Sequence, residues 1–237
     1  MKRDKIILLL LGIFFSCHAE AKLKIYLIHG YGGTGLELFK IQKALKKNGF
    51  IYETFHYNSL TEEIDSVAKK LNERIKNDSF DTLSFITHSM GALVVRSLQS
   101  FVDADPLFPF IQRIVMIAPP NRGSPIADFF LGCELTSFLA GPNLQHLSTD
   151  SINGAVKFPL PQCEVGLILG AIEKDELLSI PLNGPNDGIV LNDSSKMAIE
   201  TDIWIEEDSH LGLLFNKRVV ENVICFLNFG KFQTAKK

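Results

Sequence analysis

Ser89 lies within the segment Phe85 to Leu93, FITHSMGAL, where strand-like apolar residues pass through a short polar turn into a helix-like stretch. Such a junction lifts a serine hydroxyl out of a sheet and directs the next backbone N–H groups at the same space, as in a nucleophile elbow. Gly91 fits the small residues that this crowded turn needs, whereas Thr87 stands where a first glycine is usual. Because a serine after a strand also often serves as a helix N-cap, the sequence leaves two roles open for Ser89.

A catalytic serine would need a base and an acid further along the chain. A serine hydroxyl is a weak nucleophile unless a base accepts its proton, and an imidazole base needs a carboxylate to fix its tautomer. His210 is the only histidine after His146, so the order serine, acid, histidine leaves it as the sole candidate base. Asp187 lies in the turn-forming segment NGPNDGIV before it. The other aspartates near this histidine in sequence are Asp193, Asp202 and Asp208.

Glycines and histidines follow two of the strand-like runs. The segment HGYGGTG (29–35) is rich enough in glycine to let a backbone approach a ligand and turn its N–H groups toward an anion, although a tight turn alone would also explain it. His29 is placed to brace this segment. His88, adjacent to Ser89, is expected to point away from it and to act as a packing residue.

Six apolar runs have the length and composition of buried strands. They are residues 23–29, 50–57, 82–88, 111–118, 165–172 and 202–207. The segments between the first four of these runs have apolar residues at the spacing of amphipathic helices. The first helix is predicted to stop at Asn48-Gly49, the second to have Thr61 as its N-cap, and the third to begin near Ser89.

Apolar strands that alternate with helices indicate a parallel sheet covered on both faces, so the fold class is α/β. We expect a mostly parallel sheet of about six strands. An apolar fraction of 46% over 237 residues suits one globular domain, which we assign to residues 22–237, rather than a disordered chain. The alternation stops between about 119 and 163, where Gly, Pro, Asn and Ser are frequent, and we interpret this stretch as a lid-like insertion.

Residues 1–21 have the features of a secretory signal peptide. Three basic residues precede the run 6–15, which is apolar apart from one glycine, and Ala19-Glu20-Ala21 follows. A bilayer-spanning helix needs about 20 apolar residues, so a permanent anchor is disfavoured. We therefore predict export to the periplasm or the medium. Lipoprotein processing at Cys17 is an alternative, although Phe14 and Phe15 are unlike the aliphatic and small residues usual before such a cysteine.

Charge and cysteine content exclude several classes of function. The chain has 24 Lys and Arg and 27 Asp and Glu, so it lacks the excess of positive charge that is typical of nucleic-acid-binding proteins. No CxxC pair or Cys/His cluster indicates zinc, and no cofactor is predicted. In an exported protein Cys133 and Cys163 could form a disulfide, whereas Cys225 lies in the apolar run VICFL and is interpreted as a core residue.

Five segments together resemble the α/β-hydrolase superfamily, especially its small bacterial lipases and esterases. They are IHGYGG, THSMGA, APPNRGSPIAD, NDGIV and SHLGLL, which occur in the family's order over roughly residues 22–228. The resemblance implies that Ser89 is the nucleophile, Asp187 the acid and His210 the base. It also implies that the backbone N–H groups of Tyr31 and Met90 form an oxyanion hole. Those lipases often have an acidic calcium ligand where this chain has Gly212, so no metal site is implied.

The resemblance predicts an exported serine hydrolase that cleaves carboxylic esters through an acyl-enzyme. Its partners would be a small-molecule or lipid ester and, transiently, a membrane surface. Acyl transfer to another alcohol or amine is an alternative on the same triad. A peptidase or amidase, or a non-catalytic binding protein with this fold, is disfavoured.

The stretch 119–163 also contains a predicted amphipathic helix. Ser124 and Pro125 are suited to its N-cap and first position. Its apolar positions share one face, and two further apolar residues follow: Ile126, Phe129, Phe130 and Cys133, then Phe138 and Leu139. Packing on the sheet would explain each of these residues singly. As a group they predict a water-poor wall for an acyl chain, with Phe129 and Phe130 as substrate-binding residues.

Overall fold

The computed structural model describes residues 22–133, 141–172 and 182–233. Within them, six strands form one sheet in the order β2-β1-β3-β4-β5-β6, and every neighbouring pair is parallel. The strands are β1 Leu23–Ile28, β2 Ile51–Phe55, β3 Thr82–His88, β4 Phe110–Ile117, β5 Glu164–Gly170 and β6 Asp202–Glu206. The predicted fold class and all six strand positions are confirmed, with ends that differ by at most two residues.

The strand order sets where a ligand can bind. The chain proceeds from β1 outward to β2, then returns to the other side of β1 and continues from β3 to β6. The order therefore reverses between β1 and β3, which pair in register from Leu23 with Thr82 to Ile28 with Thr87. In open parallel sheets the crevice at such a reversal, beyond the carboxyl ends of the strands, is where ligands bind. The segments that follow β1 and β3 are the glycine-rich segment and Ser89.

Helices cover both faces of the sheet. Within the described residues they are α1 Phe39–Lys47, α2 Ile64–Lys76, α3 Gly91–Ala104, α4 Pro125–Leu131, α5 Asn143–His146, α6 Asn192–Ser195 and α7 Lys217–Phe229. Buried side chains of α2 and α3 form a core on one face, and those of α1 and α7 form a second core on the other. The stop predicted for α1 is confirmed, since Asn48 is its C-cap and Gly49 follows with φ of 76°.

The predicted start of α2 is wrong. Its N-cap is Glu63 rather than Thr61, and the side chain of Glu63 makes no capping hydrogen bond. The first helical amide, that of Ile64, instead donates to the side-chain oxygen of Asn143 at 3.0 Å. A cap supplied from α5 removes the need for a local Ser or Thr at the helix start.

The stretch 119–163 contacts the rest of the molecule through buried polar side chains. Asn143 donates to the carbonyl oxygens of Ser59 and Glu62 at 2.9 and 2.7 Å. From α3, the buried Arg96 donates to the carbonyl oxygens of Asn121 and Pro159 at 2.6 and 3.1 Å. These contacts fix both ends of the stretch against the helices of one face.

Two interpretations of the cysteines change. Cys163 is a free thiol, so the structure lacks the disulfide considered between Cys133 and Cys163, and burial raises the pKa of Cys163 to about 12. Cys225 is partly exposed on α7 rather than a core residue. Among the described residues, no helix is both long and apolar enough to cross a bilayer.

Candidate active site

Ser89 occupies a sharp, strained turn directly after β3. Its φ of 50° lies in the left-handed region, which is costly for any residue with a Cβ. Its N–H donates to the carbonyl oxygen of Ile117 on β4 at 2.9 Å, and α3 begins two residues later at Gly91. A Cβ at Gly91 would lie 2.5 Å from the carbonyl oxygen of Ile28, so only glycine fits there.

This geometry separates the two roles considered for Ser89. The N-cap of α3 is Met90, and it makes no side-chain capping bond, so Ser89 is not the helix N-cap. A strand that turns through a strained serine into a helix is instead the conformation of a nucleophile elbow.

Asp187 and His210 form a buried pair. The Nδ1 atom of His210 lies 2.7 Å from Oδ2 of Asp187, and the two side chains are 7% and 2% exposed. The other carboxylate oxygen accepts hydrogen bonds from the backbone N–H groups of Ile189 and Val190 at 2.9 and 2.7 Å. A carboxylate held in this way orients an imidazole and leaves its Nε2 atom available for proton transfer.

The other candidate acids make different contacts. Asp193 is 85% exposed and pairs with Lys196 at 2.7 Å. Asp208 accepts from the side chain of Asn216 at 3.1 Å, and Asp202 accepts from the backbone N–H of Phe232 at 2.8 Å. Of the four acids considered, Asp187 is the one that the structure brings to His210.

His88 joins the turn of Ser89 to the loop of His210. Its Nε2 atom lies 3.1 Å from the carbonyl oxygen of His210, and the ring centroids are 4.8 Å apart. The expectation that His88 is a packing residue is therefore incomplete, since this buried ring also makes a specific hydrogen bond. It places the loop that follows β6 beside the end of β3.

The glycine-rich segment after β1 is held by residues from the end of β2. The hydroxyl of Tyr57 donates to the carbonyl oxygen of His29 at 2.6 Å, and the two rings stack with centroids 4.1 Å apart. The N–H of Gly32 donates to Oγ of Ser59 at 2.9 Å. Burial lowers the pKa of His29, which keeps it neutral at physiological pH. His29 thus lies where the sequence placed it, beside the glycine-rich segment.

Sequence analysis missed Tyr57 and Ser59. A signal was available for Ser59, because it follows the predicted strand 50–57, and polar residues beyond the carboxyl ends of parallel strands are candidates for a site. Tyr57 is the last residue of that predicted strand, whereas β2 ends at Phe55 and leaves Tyr57 in the loop that follows.

The two residues predicted to form an oxyanion hole follow neighbouring strands. Tyr31 lies in the segment after β1, and Met90 directly follows Ser89 after β3. Within the described part of the chain, the backbone N–H of Met90 takes part in no backbone hydrogen bond. An amide directly after Ser89, such as that of Met90, can donate to an anionic oxygen bound there.

The predicted start of α4 is confirmed, with Ser124 as N-cap and Pro125 in the first turn. Oγ of Ser124 accepts from the N–H of Ile126 at 3.2 Å and donates to the carbonyl oxygen of Ile189 at 2.6 Å, in the turn that holds Asp187. This bond ties α4 to the turn that contains Asp187.

The apolar positions of α4 differ in exposure. Ile126 is buried, whereas Phe129 is 60% exposed and packs edge to face on Phe130 with ring centroids 5.7 Å apart. Phe138 and Leu139 lie outside the described residues. Phe129 is therefore exposed and Phe130 half-buried on a helix tied to the Asp187 turn.

Residues able to hold a metal ion are not grouped in this region. In the three described ranges, no group of three or more His, Cys, Asp or Glu side chains has that arrangement. At Gly212, a Cβ would lie 1.8 Å from Oδ1 of Asp208, so a larger residue there would require the Asp208 side chain to move.

Comparison of the sequence with protein families matches residues 4–138 to one described as a domain of unknown function, DUF7379. The match covers more than half of the chain. The chain belongs to the DUF7379 family. It is also 35% identical over 77 residues to lecithin-cholesterol acyltransferase-like 4 of Arabidopsis thaliana, a match that covers 32% of this chain and 14% of that relative.

Solved structures with the same fold include lipases and esterases. The mature lipase of Bacillus licheniformis aligns with a TM-score of 0.64 at 16% identity, over 89% of this chain and 93% of the lipase. A protein from Listeria innocua aligns with a TM-score of 0.61 at 19% identity, over 91% and 96%. A metagenomic carboxyl esterase aligns with a TM-score of 0.63 at 16% identity, over 82% and 66%. These likenesses confirm the α/β-hydrolase fold expected from the five sequence segments.

Proposed function

We propose that this DUF7379 protein is a serine hydrolase that cleaves carboxylic esters, with Ser89 as nucleophile, His210 as base and Asp187 as acid. The observation that carries the proposal is the buried Asp187–His210 hydrogen bond of 2.7 Å, held beside the strained turn of Ser89 through His88. A carboxylate–imidazole pair at the end of a strand that presents a serine has the parts that acyl transfer requires.

In the proposed mechanism, Oγ of Ser89 attacks the acyl carbonyl carbon while His210 accepts the hydroxyl proton at Nε2. Asp187 stabilises the resulting imidazolium, and the amides of Tyr31 and Met90 donate to the negative oxygen of the tetrahedral intermediate. The intermediate collapses as His210 returns the proton to the leaving alcohol. Water, deprotonated by His210, then releases the acid and restores Ser89.

A fluorophosphonate probe tests the nucleophile directly, because it reacts with an activated serine and needs no knowledge of the natural substrate. We expect stoichiometric labelling of Ser89, identified by peptide mass spectrometry, and turnover of chromogenic acyl esters by the same preparation. Labelling at another serine, or turnover that persists after full labelling, would reject the assignment.

Acyl transfer is the second candidate, supported by the match to the acyltransferase-like relative of Arabidopsis thaliana. The two reactions share the acyl-enzyme and differ in whether water or another acceptor removes the acyl group. Product analysis with added alcohols separates them. A hydrolase gives mainly free acid, whereas a transferase gives mainly the new ester at acceptor concentrations far below that of water.

We propose transient contact with a membrane surface through an apolar patch beside His210. The patch consists of the exposed side chains of Leu36, Phe39, Leu211 and Phe215. The rings of Phe39 and Phe215 lie 5.9 Å apart, and Nζ of Lys40 donates to the carbonyl oxygen of Phe215 at 2.6 Å. Apolar side chains flanked by a cation are suited to the headgroup region of an anionic lipid layer.

Sedimentation with phosphatidylglycerol vesicles measures this contact. The double variant Leu36→Ser, Phe39→Ser should bind less than the unmodified protein. The matched control is Leu107→Ser, because Leu107 is also highly exposed but lies in the loop that enters β4, at the other end of the sheet. Equal loss in both variants would show that general surface hydrophobicity, rather than the patch, drives binding.

We propose that residues 1–21, which lie outside the described residues, direct export. Intact mass measurement of protein recovered from the periplasm or medium should give a chain that starts near residue 22. A chain that starts at a lipid-modified Cys17 would support the lipoprotein alternative, and an uncleaved chain in the cytoplasm would refute export.

A further inference from the structure

His88 is a buried polar ring with a specific partner outside the proposed triad. It is the last residue of β3 and is 3% exposed. Its Nε2 atom lies 3.1 Å from the carbonyl oxygen of His210. Since a carbonyl oxygen only accepts hydrogen bonds, Nε2 must carry the proton and donate it.

The His88 ring keeps this role as a neutral donor to the His210 carbonyl oxygen across the physiological pH range. The pKa of His88 is lowered to about 3, chiefly by burial and also by the charges of protonated His210 and His29, while the bond to the His210 carbonyl and the charge of Asp187 act in the opposite direction. His88 therefore stays neutral over the physiological range. It does not compete with His210 for the serine proton, although His88 adjoins Ser89 in sequence and its ring centroid lies 4.8 Å from that of His210.

The strand order explains why the base needs such an anchor. His210 follows β6, which is separated from β3 by β4 and β5. Its N–H and its ring both bond to Asp187, at 2.9 and 2.7 Å, and Asp187 lies after β5. The bond from His88 ties the His210 peptide to the strand that carries Ser89.

We infer that His88 is a positioning residue, which fixes the backbone of the base to the strand of the nucleophile and so sets the distance from the imidazole to Oγ of Ser89. Its kinetic consequence rests on the function proposed above, whereas the tautomer and the hydrogen bond do not. A misplacement of about 1 Å between reacting groups can cost on the order of 100-fold in rate. The loss should fall on kcat, because His88 is not placed against substrate.

Two variants of similar volume separate the donor from the packing. Glutamine can present an N–H near the position of the imidazole Nε2, whereas methionine cannot donate. We expect His88→Met to lower kcat about 10- to 100-fold with KM within about twofold, and His88→Gln to recover most of the loss. If His88→Met does not fold, His88→Asn, whose amide is too short to reach the carbonyl, replaces it.

Nuclear magnetic resonance of ¹⁵N-histidine-labelled protein gives a readout independent of turnover. In the unmodified protein the His88 ring should carry its proton on Nε2 and not titrate between about pH 5 and 9. The Nδ1–H signal of His210 should persist in His88→Gln and exchange faster in His88→Met. If these NMR signals change as expected but the protein turns over no ester, the proposed function is refuted and the positioning role of His88 is retained. A proton on Nδ1 of His88, or a kcat of His88→Met equal to that of the unsubstituted protein, would overturn the inference.

Discussion

At the scale of single residues, the backbone conformation of Ser89 and the chemistry of its hydroxyl can be tested separately. The left-handed conformation at φ of 50° belongs to the turn and does not depend on the hydroxyl, so alanine can retain it. We therefore predict that Ser89→Ala keeps the thermal unfolding temperature while losing about 10³-fold or more in ester turnover. Enzyme kinetics and circular dichroism on the same preparation measure both. Near-normal hydrolysis by a folded Ser89→Ala protein would remove Ser89 from the mechanism.

The choice of acid is also a single-residue question. Asp187→Asn should lower kcat on the order of 10⁴-fold, because the amide cannot stabilise the imidazolium and favours the wrong tautomer. Asp193→Asn and Asp208→Asn are matched controls, since these side chains contact Lys196 and Asn216 rather than His210. Greater inactivation by either control than by Asp187→Asn would show that the acid is misassigned.

At the scale of elements, Asn143 connects α5 to the start of α2. Its buried side chain accepts from the amide of Ile64 and donates to the carbonyl oxygens of Ser59 and Glu62. Asn143→Ala leaves these groups without partners and should reduce the free energy of unfolding by about 3 kcal/mol. Denaturant unfolding measures the change. The exposed Asn153→Ala is the control and should stay within about 0.5 kcal/mol.

Helix α4 gives a second prediction at this scale. If Phe129 and Phe130 contact the acyl chain, replacing both with alanine removes apolar contacts that only longer chains reach. Activity on medium and long acyl esters should then fall by about 1–3 kcal/mol of transition-state binding, with a smaller effect on acetate esters. A series of nitrophenyl esters of increasing length tests this. An equal loss at every length would indicate a structural role for the pair.

At the scale of the whole molecule, a charged cluster at the amino ends of the strands lies opposite the candidate site. The buried Lys24 pairs with Glu53 at 2.6 Å and with Asp78, which also accepts from Tyr26. Burial alone would raise the pKa of Asp78, but the hydrogen bonds from Lys24 and Tyr26 hold it below its ordinary value. Its stabilisation is therefore present above the unfolded pKa of about 3.9 and is lost as the pH falls through the lower folded value.

Asp78→Asn should lower the free energy of unfolding by about 3 kcal/mol at neutral pH, because it leaves Lys24 with fewer partners in a buried position. The difference from the unmodified protein should shrink below about pH 4. Lys70→Gln, which breaks an exposed ion pair with Glu62, should cost at most about 1 kcal/mol. Chemical unfolding across pH measures all three proteins. An effect of Asp78→Asn that is independent of pH would show that packing, rather than charge, is lost.

The amino-acid sequence by itself determined the number of strands and their parallel direction, whereas their order in the sheet came from the structure. The inner strands β1, β3, β4 and β5 are largely apolar, and such strands are stable when buried on both faces, so their alternation with amphipathic helices leads to a parallel sheet. The position of Ser89 at a strand-to-helix turn also followed, because β3, the turn and α3 are consecutive in the chain. The stop of α1 at Asn48-Gly49 and the cap of α4 by Ser124 are likewise local.

Only the tertiary structure decided which distant residues meet. Asp187 lies against His210, as the family resemblance but not the residues alone had implied, Asn143 rather than Thr61 caps α2, and His88 reaches a carbonyl 122 residues away. Local propensity and periodicity depend on a residue's neighbours in the chain, whereas these contacts join loops that follow different strands. The fold therefore sets the partners of a buried polar group, because each such group needs a partner among the residues that the fold brings near it.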